Sequence, residues 1–255
     1  MPRDLSLVVP AFNAATFVVP RLVGLTTFLD STGLDWEVVV VDDGSTDGTG
    51  ALLDGLLSER IRALHLCANR GKFGALAAGV AEVTGRACVF TDADVPYNLD
   101  AIPWMVDLVT RQGFHVAVGD RSLDESAYEV VLPPVRRVAT HLVTLLIRLL
   151  VTSGLHDTQC GLKALRGDVA RALFPLLRET GFAGDVELLY VALKYNLAVR
   201  RVPVRLRYQG PSSVHPARDG LRFGQALVRI KANHVRGLYR SEELRSISRQ
   251  YGLQP

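Results

Sequence analysis

The chain has 255 residues, 48% of them hydrophobic and 22% charged, with a formal net charge of +3. Those values are ordinary for one folded α/β domain with a full core, and the small charge without a concentrated basic stripe argues against a nucleic-acid partner. Cys67, Cys88 and Cys160 are scattered and odd in number, which excludes a disulfide framework or a cysteine metal site and makes a reducing cytoplasm the expected setting. No signal peptide is expected, because a strand follows the first four residues. The most apolar stretch, 142–151, is broken by Arg148 and falls short of the ~20 residues that cross a bilayer.

Taken in chain order, short β-branched runs alternate with helical patterns, the signature of an α/β fold with a mainly parallel sheet and helices on both faces. A strand is predicted over 5–9, a helix over about 15–29, and a second strand over 37–41 that ends in Asp42-Asp43-Gly44-Ser45. A helix over 47–58 follows, with Thr46 or Asp47 as its N-cap. Next come a strand over 62–66, a small-residue helix over 71–83 and a strand over 87–91. The pattern then predicts a helix over 99–112, a strand over 115–119 and a long apolar helix over 133–151. A strand over 161–165, helices over 168–177 and 185–195, a late strand over 199–207 and a basic helix over 221–238 complete the chain. No repeat or linker interrupts it, so one unit is expected: a catalytic domain over 1–210 with a basic helical extension over 211–255 packed on it.

In open α/β sheets ligands bind beyond the carboxyl ends of the strands. Pro10-Ala11, Asp42-Asp43, Asn69-Arg70, Asp92-Asp94 and Asp120-Arg121 all fall at such ends. Asp92 and Asp94 are two residues apart in an extended segment, so they share a side. Two carboxylates on one side suit Mg²⁺ or Mn²⁺, which takes one or two carboxylates and completes its shell with substrate phosphates. Asp42 or Asp43 can accept hydrogen bonds from a base edge or a ribose hydroxyl, and the same residues can equally form a turn and cap the next helix. Asn69-Arg70-Gly71-Lys72-Phe73-Gly74 opens a helix, where the helix N-terminus and the cations Arg70 and Lys72 favour an anion.

Four motifs together resemble a family 2 glycosyltransferase. They are Val8-Val9-Pro10-Ala11-Phe12-Asn13, Val41-Asp42-Asp43-Gly44-Ser45-Thr46-Asp47, Asn69-Arg70-Gly71-Lys72 and Thr91-Asp92-Ala93-Asp94. The second half is similar to the dolichyl- or polyprenyl-phosphate sugar synthase branch, nearest to its β-glucosyltransferases. The runs that carry this are Gly119-Asp120-Arg121-Ser122, Asp157-Thr158-Gln159-Cys160-Gly161-Leu162-Lys163 and Phe182-Ala183-Gly184-Asp185-Val186-Glu187.

The resemblance implies a GT-A (Rossmann-like) fold and an inverting, metal-dependent hexosyl transfer from a nucleotide-diphosphate sugar to a polyprenyl phosphate. UDP-glucose is the favoured donor and GDP-mannose the alternative. It implies nucleotide-sugar binding by Pro10, Ala11, Asn13, Asp42, Asp43, Lys72, Asp92, Ala93 and Asp94, with Asp92 and Asp94 holding Mg²⁺ or Mn²⁺. Arg121 would meet the acceptor phosphate, and Asp157 or Asp185 would lie by the sugar and acceptor, either serving as base for an alcohol acceptor. The apolar segment 133–151 and the basic C-terminal stretch suggest peripheral contact with the inner face of a membrane. A glycosyltransferase acting on a small hydroxylated metabolite, and a non-catalytic nucleotide-binding module, are the other readings the residues allow.

Overall fold

In a computed structural model of the chain, residues 2–128, 157–207 and 216–251 are described. The apolar helix expected over 133–151 lies outside them.

Seven strands form the central sheet: β1 Leu5–Ala11, β2 Trp36–Asp42, β3 Ile61–His65, β4 Ala87–Phe90, β5 Val116–Asp120, β7 Lys163–Arg166 and β8 Val199–Pro203. Their order is β3-β2-β1-β4-β7-β5-β8. All neighbours are parallel except β7, which runs antiparallel to both β4 and β5. β6 (Ala127–Tyr128) and β9 (Arg205–Leu206) form a separate parallel pair.

Both faces of the sheet are covered, and the strand sequences say why. Period-2 alternation sends Val8, Val39, Val41, Phe90 and Val118 to one core and Leu7, Val9, Val38, Val40 and Val89 to the other. The first core is closed by α3 (Lys72–Ala81), α5 (Gly167–Leu173) and α6 (Gly184–Lys194), the second by α1 (Val18–Asp30) and α4 (Ala101–Thr110). The short α2 (Thr49–Asp54) also adds Leu53 to the second core. The small residues of α3 serve close packing: a Cβ on Gly79 would lie 2.4 Å from Val8 Cγ1.

Three elements depart from the sequence expectation, each for a local reason. α2 is shorter than 47–58, because Gly48 sits at φ +90° before it and Gly55 follows it. Asp47 still serves that turn, accepting from the Thr49 N–H at 3.0 Å. α5 stops at Leu173 and continues as a 3₁₀ turn, Phe174–Leu176, where Pro175 has no N–H to extend the helix. The late strand divides at Val204, whose N–H donates to Ser126 Oγ at 3.1 Å, so β8 stays with β5 while β9 joins β6.

The C-terminal region holds two helices, α7 (Pro216–Val235) and α8 (Glu242–Tyr251). Only the first was expected. Leu227, Ile230, Tyr239, Leu244 and Ile247 join the same core as α5 and α6.

Candidate active site

The parallel strands β1, β2, β4 and β5 deliver Ala11, Asp42, Asp92 and Asp120 to one edge of the sheet. Because β7 is antiparallel, its beginning rather than its end reaches that edge, with Lys163 paired between Phe90 and Val118. The segment 157–162 therefore enters the site from a distant part of the chain. α6 starts there too and presents Asp185 in its first turn.

Three cations and three carboxylates meet at this edge. Lys72 Nζ lies 2.8 Å from Asp92 Oδ1 and 3.5 Å from Asp185 Oδ2. Lys163 Nζ bonds the other Asp185 oxygen and donates to the Cys160 carbonyl at 2.6 Å. Its side chain is fully buried, above the Phe90 ring. Arg121 makes a fork with Asp157, Nε to Oδ2 at 2.7 Å and Nη2 to Oδ1 at 2.9 Å, and its backbone N–H adds a third bond at 2.9 Å. Asp120 is held separately by Arg201 and Ser122.

These contacts set the ionisation. Burial alone would raise the carboxyl of Asp92, but Lys72, with Lys163 and Arg121 behind it, holds it below the usual range. Burial works the same way on Asp157, and the Arg121 fork outweighs it. Burial opposes the charge on Lys72, and Asp185 and Asp92 more than restore it. All three are charged at neutral pH.

Asp92 fits because Gly161 faces it. A Cβ on Gly161 would lie 1.9 Å from Asp92 Oδ2, so any side chain there would push the carboxylate out of place. Asp94 follows on the same turn, just ahead of Val95 at φ +45°. No group of three metal-ligating side chains occurs among the described residues. Asp92 and Asp94 nevertheless suit a hard divalent ion, since such an ion commonly draws one or two ligands from protein and the remainder from substrate phosphates and water. Asp92 is 35% exposed in its side chain, open enough to accept one.

The loops after β1 and β2 are stitched into one surface. Asn13 donates its N–H to Ser45 Oγ and accepts from the Thr46 N–H, both at 2.9 Å. The Ala14 N–H reaches Thr49 Oγ1 at 2.8 Å, and the Asp43 N–H reaches the Ala11 carbonyl at 2.8 Å. Asp43 accepts from the N–H groups of Arg70 and Gly71 at 2.7 and 2.9 Å. Burial is the larger influence on Asp43 and leaves its carboxyl above the usual value in spite of those bonds.

Asp42 accepts from the Ser45 N–H at 3.0 Å and faces His65 Nδ1 at 3.2 Å, while His65 Nε2 meets Asp54 at 3.0 Å. Bonding to Asp42 raises the His65 pKa. That stabilisation is present below the unfolded value near ~6.5 and is lost as pH rises through the higher folded value. With the ring 42% exposed, the effect is below ~1 kcal/mol. Urea unfolding of the parent and His65→Asn at pH 5.5 and 8.5 checks this: the gap between them narrows at the higher pH.

At the start of α3 two of the amides expected to face an anion have protein partners: the Phe73 N–H donates to the Thr180 carbonyl at 2.7 Å and the Gly71 N–H to Asp43. The same helix start also presents the Lys72 ammonium.

Sequence reasoning singled out Lys72, Asp92, Arg121, Asp157 and Asp185, and the structure brings them into one cluster, with Asp42, Asp43 and Asn13 beside it. It missed Lys163 as a site residue, although a lone lysine in the apolar run Gly161-Leu162-Lys163-Ala164-Leu165 is a signal for a buried, paired cation. It also missed Glu187. This fully buried carboxylate accepts from the N–H groups of Arg178 and Glu179 and from the Tyr239 hydroxyl, tying the loop before α6 to the C-terminal region.

Comparison with known proteins agrees with this architecture. The chain matches the glycosyl transferase family 2 profile over residues 6–174. It is 28% identical to the dolichyl-phosphate beta-glucosyltransferase of Dictyostelium discoideum, over 92% of this chain and 76% of that one. It is 31% identical to the Drosophila melanogaster protein of the same name, over 93% and 77%. Among solved structures, glucosyl-3-phosphoglycerate synthase from Mycobacterium tuberculosis, in complex with Mn²⁺, UDP and glucosyl-3-phosphoglycerate, superposes with a TM-score of 0.63 at 22% identity, over 94% of this chain and 81% of that one. The fold is GT-A.

Proposed function

Because this chain belongs to glycosyl transferase family 2, we propose that it moves glucose from UDP-glucose to a polyprenyl phosphate, inverting the anomeric carbon. The observation that carries the acceptor assignment is the state of the two carboxylates nearest the reaction. Asp157 is locked in the Arg121 fork and Asp185 lies between Lys72 and Lys163. A base for an alcohol needs a free carboxylate with a pKa tuned toward neutrality, whereas Asp157 is held low. A phosphate monoester is already ionised and needs only positioning. The glucosyl choice and the lipid phosphate agree with the names of the relatives.

Each residue then has a task. Asn13, Asp42 and Asp43 shape the loops that receive the nucleoside, beside Pro10 and Ala11. Lys72 turns from Asp92 toward the diphosphate, and Asp185 keeps its ammonium in reach. Asp92 and Asp94, with Ala93 between them, would hold Mg²⁺ or Mn²⁺, which would offset the charge developing on the leaving nucleoside diphosphate. Arg121 uses its remaining N–H groups on the acceptor phosphate, and Asp157 fixes the plane of the guanidinium.

The paired network leaves little uncompensated positive charge for a diphosphate. UDP binding is therefore expected to depend on Mn²⁺, and Mn²⁺ alone to bind weakly to two carboxylates. Calorimetric titration of UDP with Mn²⁺ and with EDTA tests this, and equal affinity in both would refute the metal assignment. Arg121→Ala is expected to raise the acceptor KM roughly tenfold or more with little change in UDP affinity. Equal losses on both sides would move Arg121 to the donor half of the site. Among the described residues no helix is long and apolar enough to cross a membrane, so we place the contact with a lipid-borne acceptor at the membrane surface.

A further inference from the structure

At the far end of α6 from Asp185, the C-terminal helices flank an open cleft of about 560 Å³, within the ~300–1,000 Å³ of small-molecule sites. Lys194, His234, Arg240, Arg245 and Arg249 line it, and none of its described lining residues is a carboxylate. Arg245 is paired with Glu242 at the edge, while no carboxylate pairs with Arg240 or Arg249 among the described residues. The frame is built, not loose. The Tyr195 hydroxyl donates to the Tyr239 carbonyl at 2.7 Å and accepts from the Ser241 N–H at 2.6 Å, and the Tyr239 hydroxyl is anchored on Glu187 at 2.6 Å.

From this juxtaposition of a concave wall, its described residues free of carboxylates, with convergent arginine and lysine side chains, we propose that the cleft is a second anion site that binds a small phosphate- or diphosphate-bearing molecule. Guanidinium forks match phosphate oxygens in geometry and charge. Several cations facing one cleft repel each other, and a polyanion relieves that repulsion. The condition of His234 agrees: partial burial, then Lys194 and Lys231, hold its pKa below the usual imidazole value. The nine residues from Asp185 to Lys194 set the cleft about 13 Å along α6 from the reaction edge. A bilayer resting there would lie at the opposite end of that helix from the lipid acceptor's site, which favours a dissolved anion over a lipid headgroup.

The test follows the His234 ring by NMR in the full chain, assigned with His234→Gln, as inorganic pyrophosphate is added. A saturable shift with an upward move of the His234 titration midpoint is expected. The affinity should fall roughly tenfold or more in Arg240→Gln/Arg249→Gln, whose side chains are exposed, and should persist in Asp92→Asn, which separates this site from the donor site. No saturable shift, an equal shift from chloride at the same ionic strength, or an unchanged affinity in the double variant would overturn the proposal. So would a shift produced by phosphatidylserine vesicles but not by pyrophosphate, which would assign the surface to a membrane.

Discussion

Replacing Asp185 by alanine is expected to lower the stability of the protein by about 3–5 kcal/mol, the range for removing one partner of a buried ion pair. Lys163 is fully buried, and apart from the Asp185 carboxylate its ammonium has the Cys160 carbonyl. Without Asp185 that buried charge keeps only the Cys160 carbonyl, the face of the Phe90 ring and the more distant carboxylates of Asp92 and Asp157. Urea unfolding measures the loss; a change below about 1 kcal/mol would show that the pair is not the enclosed unit described. The double variant Lys163→Met/Asp185→Leu separates two roles. Removing both charges is often nearly neutral for stability, so the double variant should recover most of the loss. It should remain inactive, because Lys72 would have lost the carboxylate that holds it near the diphosphate. A double variant that transfers sugar normally would reduce the Lys163–Asp185 pair to a packing element.

The second large effect is on turnover. Asp92→Asn and Asp94→Asn should each lower kcat by at least about 10³-fold, at the upper end for losing a group that stabilises developing charge. The fold should survive, since asparagine at 92 keeps the shape that Gly161 admits and can still accept from Lys72. Steady-state kinetics with circular dichroism separates the two outcomes. Full activity of both variants in excess EDTA would refute the assignment of these carboxylates to a metal-bridged diphosphate.

Much of this architecture is legible along the chain because its signals are local. Short apolar, β-branched runs mark β1, β2 and β4, and the turn residues after β2 and β4 point to Asp42, Asp43, Asp92 and Asp94 at one edge of the sheet. What the chain does not reveal is pairing across long separations. Lys72 meets Asp185 across 113 residues, and no pattern near either predicts that contact. The reversed direction of β7 depends on neighbours on both sides, so the arrival of Asp157, Gly161 and Lys163 at the site is a property of the sheet. The same holds for the bond from the Phe73 N–H to the Thr180 carbonyl at the start of α3. Motifs locate carboxylates; only the assembled site shows that Asp157 and Asp185 are each held by cations, which argues against either as base.

That last point is the centre of the account, because it links the geometry to an acceptor that arrives already ionised. The direct measurement uses radiolabelled UDP-glucose with Mn²⁺ and a short polyprenyl phosphate, partitioned between butanol and water. The account predicts label in the butanol phase only when the polyprenyl phosphate and the metal are both present. Label confined to water, as free glucose or as a water-soluble glucoside, would contradict it.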